Sequence, residues 1–120
     1  MAKHILIIDD QKSMRSILTQ MLKDKGYQVT AAGDGEEGLR RFNQDPGSFN
    51  LILADINMPK IDGFGFLKIV KLQHPKIPVV FLTGINEDVA KIVGKEHKVD
   101  GIIKKPFQVE ETLAIIEKLL

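Results

Sequence analysis

Cysteine is absent from the 120 residues, which excludes a disulfide framework, a thiolate metal centre and a thiol nucleophile together. Whatever chemistry the chain performs uses oxygen and nitrogen. A charge excess is lacking too: 17 Lys and Arg stand against 16 Asp and Glu, a formal net of +1, so no global field exists to hold nucleic acid or an acidic membrane. No apolar stretch approaches the length of a membrane span. The start, Met1-Ala2-Lys3-His4, meets only four apolar residues before Asp9, too few for a signal-peptide core. These absences predict a cytoplasmic protein with no membrane insertion and no direct nucleic-acid contact. Low-complexity segments are missing as well. What is present is a length that suits one compact domain, and a hydrophobic share, 43%, sufficient for its core.

Ile5-Leu6-Ile7-Ile8 is a continuous, mostly β-branched run, as expected of a strand covered on both faces in a parallel sheet, and Asp9-Asp10 ends it. Met14, Ile17, Leu18, Met21 and Leu22 then fall on one face of a helix, with Gly26 as its C-terminal cap. The unit repeats. Tyr27 to Ala32 reads as a strand, followed by the turn Asp34-Gly35 and a short helix in which Leu39 and Phe42 face inward before Pro46-Gly47. Leu51 to Ala54 is a third strand, ending at Asp55, with the turn-rich Asn57 to Gly63 behind it and a helix carrying Phe66, Leu67 and Val70. Pro78 to Leu82 is the fourth strand, closed by Thr83-Gly84 and followed by a helix with Val89, Ile92 and Val93. Asp100 to Lys104 is the fifth. A last helix opens near Gln108 and carries Val109, Leu113, Ile116 and Leu120 on its stripe. Five strand-helix pairs with short connections imply right-handed crossovers, hence an α/β fold whose parallel sheet is covered on both sides.

Ligands of such sheets bind beyond the carboxyl ends of the strands. The strands leave Asp9, Asp10, Asp55, Thr83 and Lys105 there. Singly, each has an ordinary explanation: Asp after a strand is a helix cap or a solvated turn, and Lys105-Pro106 is a turn. Together, three carboxylates at one rim repel one another unless a cation sits among them. Oxygen ligands without His or Cys suit a hard ion, and Mg²⁺, which combines one or two carboxylates with phosphate oxygens, suits them better than Zn²⁺. A phosphoryl group completes that coordination. Lys105 can offer an ammonium and Thr83 a hydroxyl to its oxygens while one Asp attacks phosphorus.

The motifs Ile7-Ile8-Asp9-Asp10, Asp55-Ile56-Asn57-Met58-Pro59 with Asp62-Gly63, Thr83 and Lys105-Pro106-Phe107 resemble those of response-regulator receiver domains, especially the single-domain chemotaxis type. The resemblance runs along residues 1–120 as one receiver domain. It implies a flavodoxin-like doubly wound sheet of five parallel strands in the order 2-1-3-4-5, with five helices and a cis bond between Lys105 and Pro106. It further implies that Asp55 is the phosphoacceptor, that Asp10, Asp55 and the main-chain carbonyl of Asn57 bind Mg²⁺ with help from Asp9, and that Lys105 contacts the phosphoryl group. The expected function is that of a stand-alone response regulator. It takes its phosphoryl group from a histidine kinase or histidine phosphotransfer protein, and alters binding to a downstream target through its fourth helix, fifth strand and last helix. Such a protein is no enzyme beyond its own phosphotransfer and autodephosphorylation. In the family, phosphorylation draws the Thr hydroxyl inward and an aromatic ring three residues before the Lys follows. Here that position is Ile102, which has no phenol to exchange hydrogen bonds, so a weaker or differently routed switch is expected. Ile85, two residues beyond Thr83, is expected to shield the acyl phosphate from water.

Gly33-Asp34-Gly35-Glu36-Glu37-Gly38 spells the dinucleotide fingerprint, but it follows the second strand rather than the first and sets three carboxylates where a pyrophosphate would sit. It is read as a turn and helix start. His4, His74 and His97 are scattered and are read as surface or strand-edge residues. Lys104 and Lys105 face opposite ways in a strand, and the resemblance selects Lys105. Two rival functions use the same residues: a Mg²⁺-dependent aspartyl-phosphate phosphatase, and an interaction module independent of phosphorylation. Against the first stands Asn57, where a general acid would follow the nucleophile by two residues. A monomer or weak homodimer is expected, with Ile115 and Leu119 as the candidate self-associating face.

Overall fold

Ile5 to Ile8, Leu51 to Ala54 and Val79 to Leu82 are all completely buried, the condition of strands covered on both faces. In the computed structural model, which describes residues 2–84, 95–96 and 98–120, they belong to β1 (His4–Ile8), β3 (Leu51–Asp55) and β4 (Val79–Thr83). These pair in parallel with β2 (Gln28–Ala32) and β5 (Gly101–Lys104) in one sheet of order β2-β1-β3-β4-β5. The α/β class, the parallel pairing and the strand order are those expected. Strand starts differ from the sequence reading by one residue: Tyr27, Pro78 and Asp100 each lie just before the strand they were assigned to.

Around the sheet lie α1 (Lys12–Asp24), α2 (Gly35–Gln44), α3 (Gly63–Gln73) and α4 (Val109–Leu119), with a 3₁₀ turn at Pro46–Ser48. Five helices were expected; four are present among the described residues. The helix assigned to Val89, Ile92 and Val93 lies outside them.

Side-chain alternation along the strands feeds two cores. Leu6, Ile8, Ile52, Ala54, Val79 and Phe81 meet Phe42 of α2 and Phe66, Leu67 and Val70 of α3 on one face. Ile5, Ile7, Leu51, Leu53, Val80, Leu82 and Ile103 meet Leu18 and Leu22 of α1 and Leu113 and Ile116 of α4 on the other. The sheet is therefore doubly wound. Two residues assigned to inward stripes do not reach these cores: Ile17 is 54% and Val109 50% exposed. Each sits at the margin of its stripe, where the width of the apolar face seen in sequence exceeds what the sheet can cover. Ile115 and Leu119 are partly buried against the second core. Gly26, at φ +89°, donates its N–H to Lys23 O (2.9 Å) and turns the chain out of α1 as its position predicts.

Far from the strands' carboxyl ends, Asp100 Oδ2 accepts hydrogen bonds from Lys71 Nζ and Val79 N, both at 2.8 Å, tying α3 to the starts of β4 and β5. His4 and His74 join this end: His4 Nε2 lies 2.7 Å from Thr30 Oγ1, and His74 packs edge-on against Phe42. His97 lies outside the described residues. No helix among the described residues is long and apolar enough to cross a membrane.

Phe81 is buried completely in the first core and meets Phe64 edge to face at 5.6 Å, whereas Leu72 on α3 is 80% exposed. Phe81→Ala should cost about 3–5 kcal/mol of unfolding free energy in urea, and Leu72→Ala no more than about 0.5 kcal/mol. Similar losses in the two variants would contradict the assignment of core and surface.

Candidate functional site

Running outward from β1, the chain order reverses: β2 lies to one side and β3 to the other, so the crevice between the ends of β1 and β3 is the topological switch point. Asp9 follows β1 and Asp55 closes β3 at that crevice. Asp9 is buried, its N–H donating to Ala32 O (3.2 Å) and its Oδ1 accepting from Gln11 N (2.9 Å) as α1 begins. Asp10, next in the chain, is exposed. Asp55 is buried, and its Oδ1 accepts from Asn57 N at 3.1 Å, folding the following loop back over the strand end.

Lys105 reaches this pair from the end of β5. Its Nζ lies 2.8 Å from Asp9 Oδ2 and 2.9 Å from Asp55 Oδ2, with only 16% of its side chain exposed. Its own N–H donates to Thr83 O, and the peptide bond to Pro106 is cis, as expected. Lys104 is exposed and takes no part. The structure thus brings Asp9, Asp10, Asp55 and Lys105 together, with Asn57 beside them. Thr83 is fully buried one residue beyond the rung that pairs Asp55 with Leu82. Ile102 is half-buried opposite Phe81 and packs on the first core. Ile85 lies outside the described residues.

Burial pushes the Asp55 carboxyl above its ordinary value, and the Asp9 charge adds to the rise; the Lys105 ammonium and the Asn57 N–H oppose it without cancelling it. Burial alone would lower the Lys105 ammonium, but hydrogen bonds and charge from Asp9 and Asp55 outweigh it and raise its pKa. The donor set suits a hard divalent cation. Asp9, Asp10 and Asp55 each bring a carboxylate oxygen within 4.8 Å of the others, and no His or Cys joins them. Asp9 Oδ2 is buried against the Lys105 ammonium with no further polar partner among the described residues, so it can turn to an arriving cation.

Two neighbours support this pocket, Gly63 of the quoted motif and Arg15, which carries no clear mark in the sequence. Arg15 donates from Nη1 to Asp9 O at 2.7 Å, and Gly63 N donates to Ile56 O at 2.9 Å, closing the loop after Asp55. Arg15 borders the apolar stripe of α1 just as solvated basic residues do, so only its position against β1 distinguishes it.

A carboxylate pocket at the switch point of a 2-1-3-4-5 sheet places the chain among flavodoxin-like doubly wound proteins that bind their ligand at strand ends. Comparison narrows the class. The profile of the response regulator receiver domain matches residues 5–117. The probable transcriptional regulator ycf27 of Cyanidium caldarium is 37% identical over 117 residues, 98% of this chain and 46% of its own length. The alkaline phosphatase synthesis transcriptional regulatory protein PhoP of Bacillus subtilis is 34% identical over 120 residues, 100% of this chain and 49% of its own. The chain thus spans about half the length of the curated relatives it matches. Among solved structures, Vibrio cholerae chemotaxis protein CheY4 superposes with a TM-score of 0.90 at 33% identity, covering 100% of both chains. The chain belongs to the response regulator receiver domain family, the signalling modules of two-component systems.

Removing the lysine isolates two buried acids. Lys105→Met should cost about 3 kcal/mol in urea unfolding in metal-free buffer. It should also move the Asp55 carboxyl midpoint, read by carbon NMR, higher still. Because the folded-state value is raised, Asp55 contributes stability that is fully present below the ordinary carboxylate pKa and is lost as pH rises through the folded value. In the variant that loss should extend to higher pH. An unmoved midpoint would show that Lys105 does not govern the pocket.

Proposed function

We propose that this receiver accepts a phosphoryl group on Asp55 from the phosphohistidine of a sensor kinase or a histidine phosphotransfer protein, and that the phosphorylated form binds a target protein differently. A carboxylate oxygen of Asp55 attacks phosphorus, the P–N bond to the imidazole breaks with its electron pair returning to nitrogen, and an acyl phosphate forms. The observation that carries this reading is the lysine ammonium within 2.9 Å of both Asp9 and Asp55 at the switch-point crevice. Released from the Asp55 oxygen as the new bond forms, Lys105 is placed to pair with a phosphoryl oxygen. Asn57 N, donating to Asp55 Oδ1, and Lys105 Nζ, donating to Oδ2, together fix the carboxylate plane. Asp9, Asp10, Asp55 and the main-chain carbonyl of Asn57 would hold Mg²⁺, which offsets the charge of the transferring phosphoryl group when bound.

Thr83, at the end of β4, supplies the hydroxyl that follows the phosphoryl group, and Ile102 repacks behind it against Phe81 and its core neighbours. An aliphatic side chain moving within an apolar cluster exchanges van der Waals contacts and no hydrogen bonds. The switch transmitted to β5 and α4 is therefore weaker than one carried by a phenol. Output passes through protein contacts, without direct nucleic-acid binding by this chain, in the cytoplasm. Its only catalysis is its own phosphotransfer and autodephosphorylation.

Incubation with Mg²⁺ and acetyl phosphate should give one labile phosphoryl adduct by mass spectrometry, absent without divalent metal and abolished by Asp55→Asn. An adduct retained in that variant would overturn the assignment, and steady phosphate release from unrelated esters would favour a phosphatase.

A further inference from the structure

The glycine-rich stretch set aside as a dinucleotide decoy touches the loop that follows Asp55. Asp34 caps α2 by accepting from Glu37 N (2.8 Å) through Oδ1, and its Oδ2 lies 3.6 Å from Lys60 Nζ, in the loop behind Asp55. At Gly35 an added Cβ would stand 2.0 Å from the main-chain oxygen of Ile61 and 2.8 Å from Ile61 Cβ, so the two backbones are in direct contact. The loop at that point is strained: Lys60 has φ +71°, and Ile61 N donates to Pro59 O at 2.9 Å, a γ-turn of the rare positive-φ kind. Such a turn persists only when its surroundings hold it. On its other side the loop is held at Gly63, where a Cβ would meet Asp55 O and Ile56 Cα, both at 2.8 Å.

We propose that the turn between β2 and α2 is a positioning clamp: Gly35 and Asp34 seat the Lys60–Ile61 turn, and so set where the Asn57 main chain stands relative to Asp55 and the divalent cation. Asp34 and Gly35 touch neither metal nor phosphoryl group and act through the loop. Gly38 gives an internal control. A Cβ there would meet Ile8 Cδ1 at 2.5 Å, the tip of a flexible core side chain rather than loop backbone.

The proposal rests on the phosphoacceptor reading, and the test separates the two. Mg²⁺ affinity is measured by calorimetric titration of the full chain, with Asn57 and Lys60 amide shifts recorded in metal-free buffer. Gly35→Ala should weaken Mg²⁺ binding by about tenfold or more, the scale of a lost ligand-orienting contact, and move both amide signals. Gly38→Ala should lower the melting temperature yet keep the affinity within about twofold, well below that scale. Asp34→Ala, which adds no atom to the contact, should weaken binding by about threefold, below the range for direct orienting partners. Parent affinity in a folded Gly35→Ala protein overturns the clamp. If that variant does not fold, parent affinity in Asp34→Ala overturns it. A parent protein that binds no Mg²⁺ overturns the phosphoacceptor reading itself.

Discussion

One ammonium between two buried carboxylates governs this molecule. Asp9 and Asp55 come from different strands, are almost wholly removed from water, and point oxygens at the same place. Two such charges are tolerable only with a positive group between them, since each carries a desolvation cost that the other increases. Lys105 is that group, delivered by a strand two places away from β3 across the sheet. The pocket is thus electrostatically balanced yet easily re-partitioned. A phosphoryl group or a metal ion arriving there competes for partners already in place, and little has to move before chemistry begins.

The sheet exists in a form that makes this balance reproducible. Four of its strands end in the same crevice region with their apolar residues locked into two separate cores, so the strand ends are fixed from both faces. The loop after Asp55 is anchored to the first core by Ile56 and Met58, and close contacts with glycine backbone at Gly35 and Gly63 set the rest of its shape. Rigidity in the strands and a held, strained turn beside them suit a module in which a small chemical change must be felt at a distance. Ile102, seated opposite Phe81, lies where such a change would pass from the pocket to β5.

Legibility in the sequence followed the strength of the local signal. Continuous apolar runs such as Ile5 to Ile8 and Leu51 to Ala54 announced buried parallel strands, and their abrupt carboxylate endings announced where a ligand would sit. Stripe margins were less clear: Ile17 and Val109 have the right spacing for burial but lie beyond the part of each helix that the sheet covers. Asp9 and Asp10 are equal as letters, yet one is sealed in and the other is solvent-exposed, a distinction made by the direction in which β1 leaves the sheet. Arg15 carries no signal of its own and Gly35 reads only as a turn, because nothing beside them in the chain reveals that they touch Asp9 and Ile61.

By itself the sequence determined the strand and helix order, the α/β class and the acids at the strand ends, because periodicity and abrupt changes of polarity are properties of neighbouring residues. The tertiary structure decided which lysine enters the pocket, how deeply each acid is buried, and why Gly35 must be glycine. Those depend on residues 26 to 96 positions apart meeting within a few ångströms, as Lys105 meets Asp9 and Gly35 meets Ile61. Desolvation and backbone contact act on groups that share space, and chain order alone does not record that proximity.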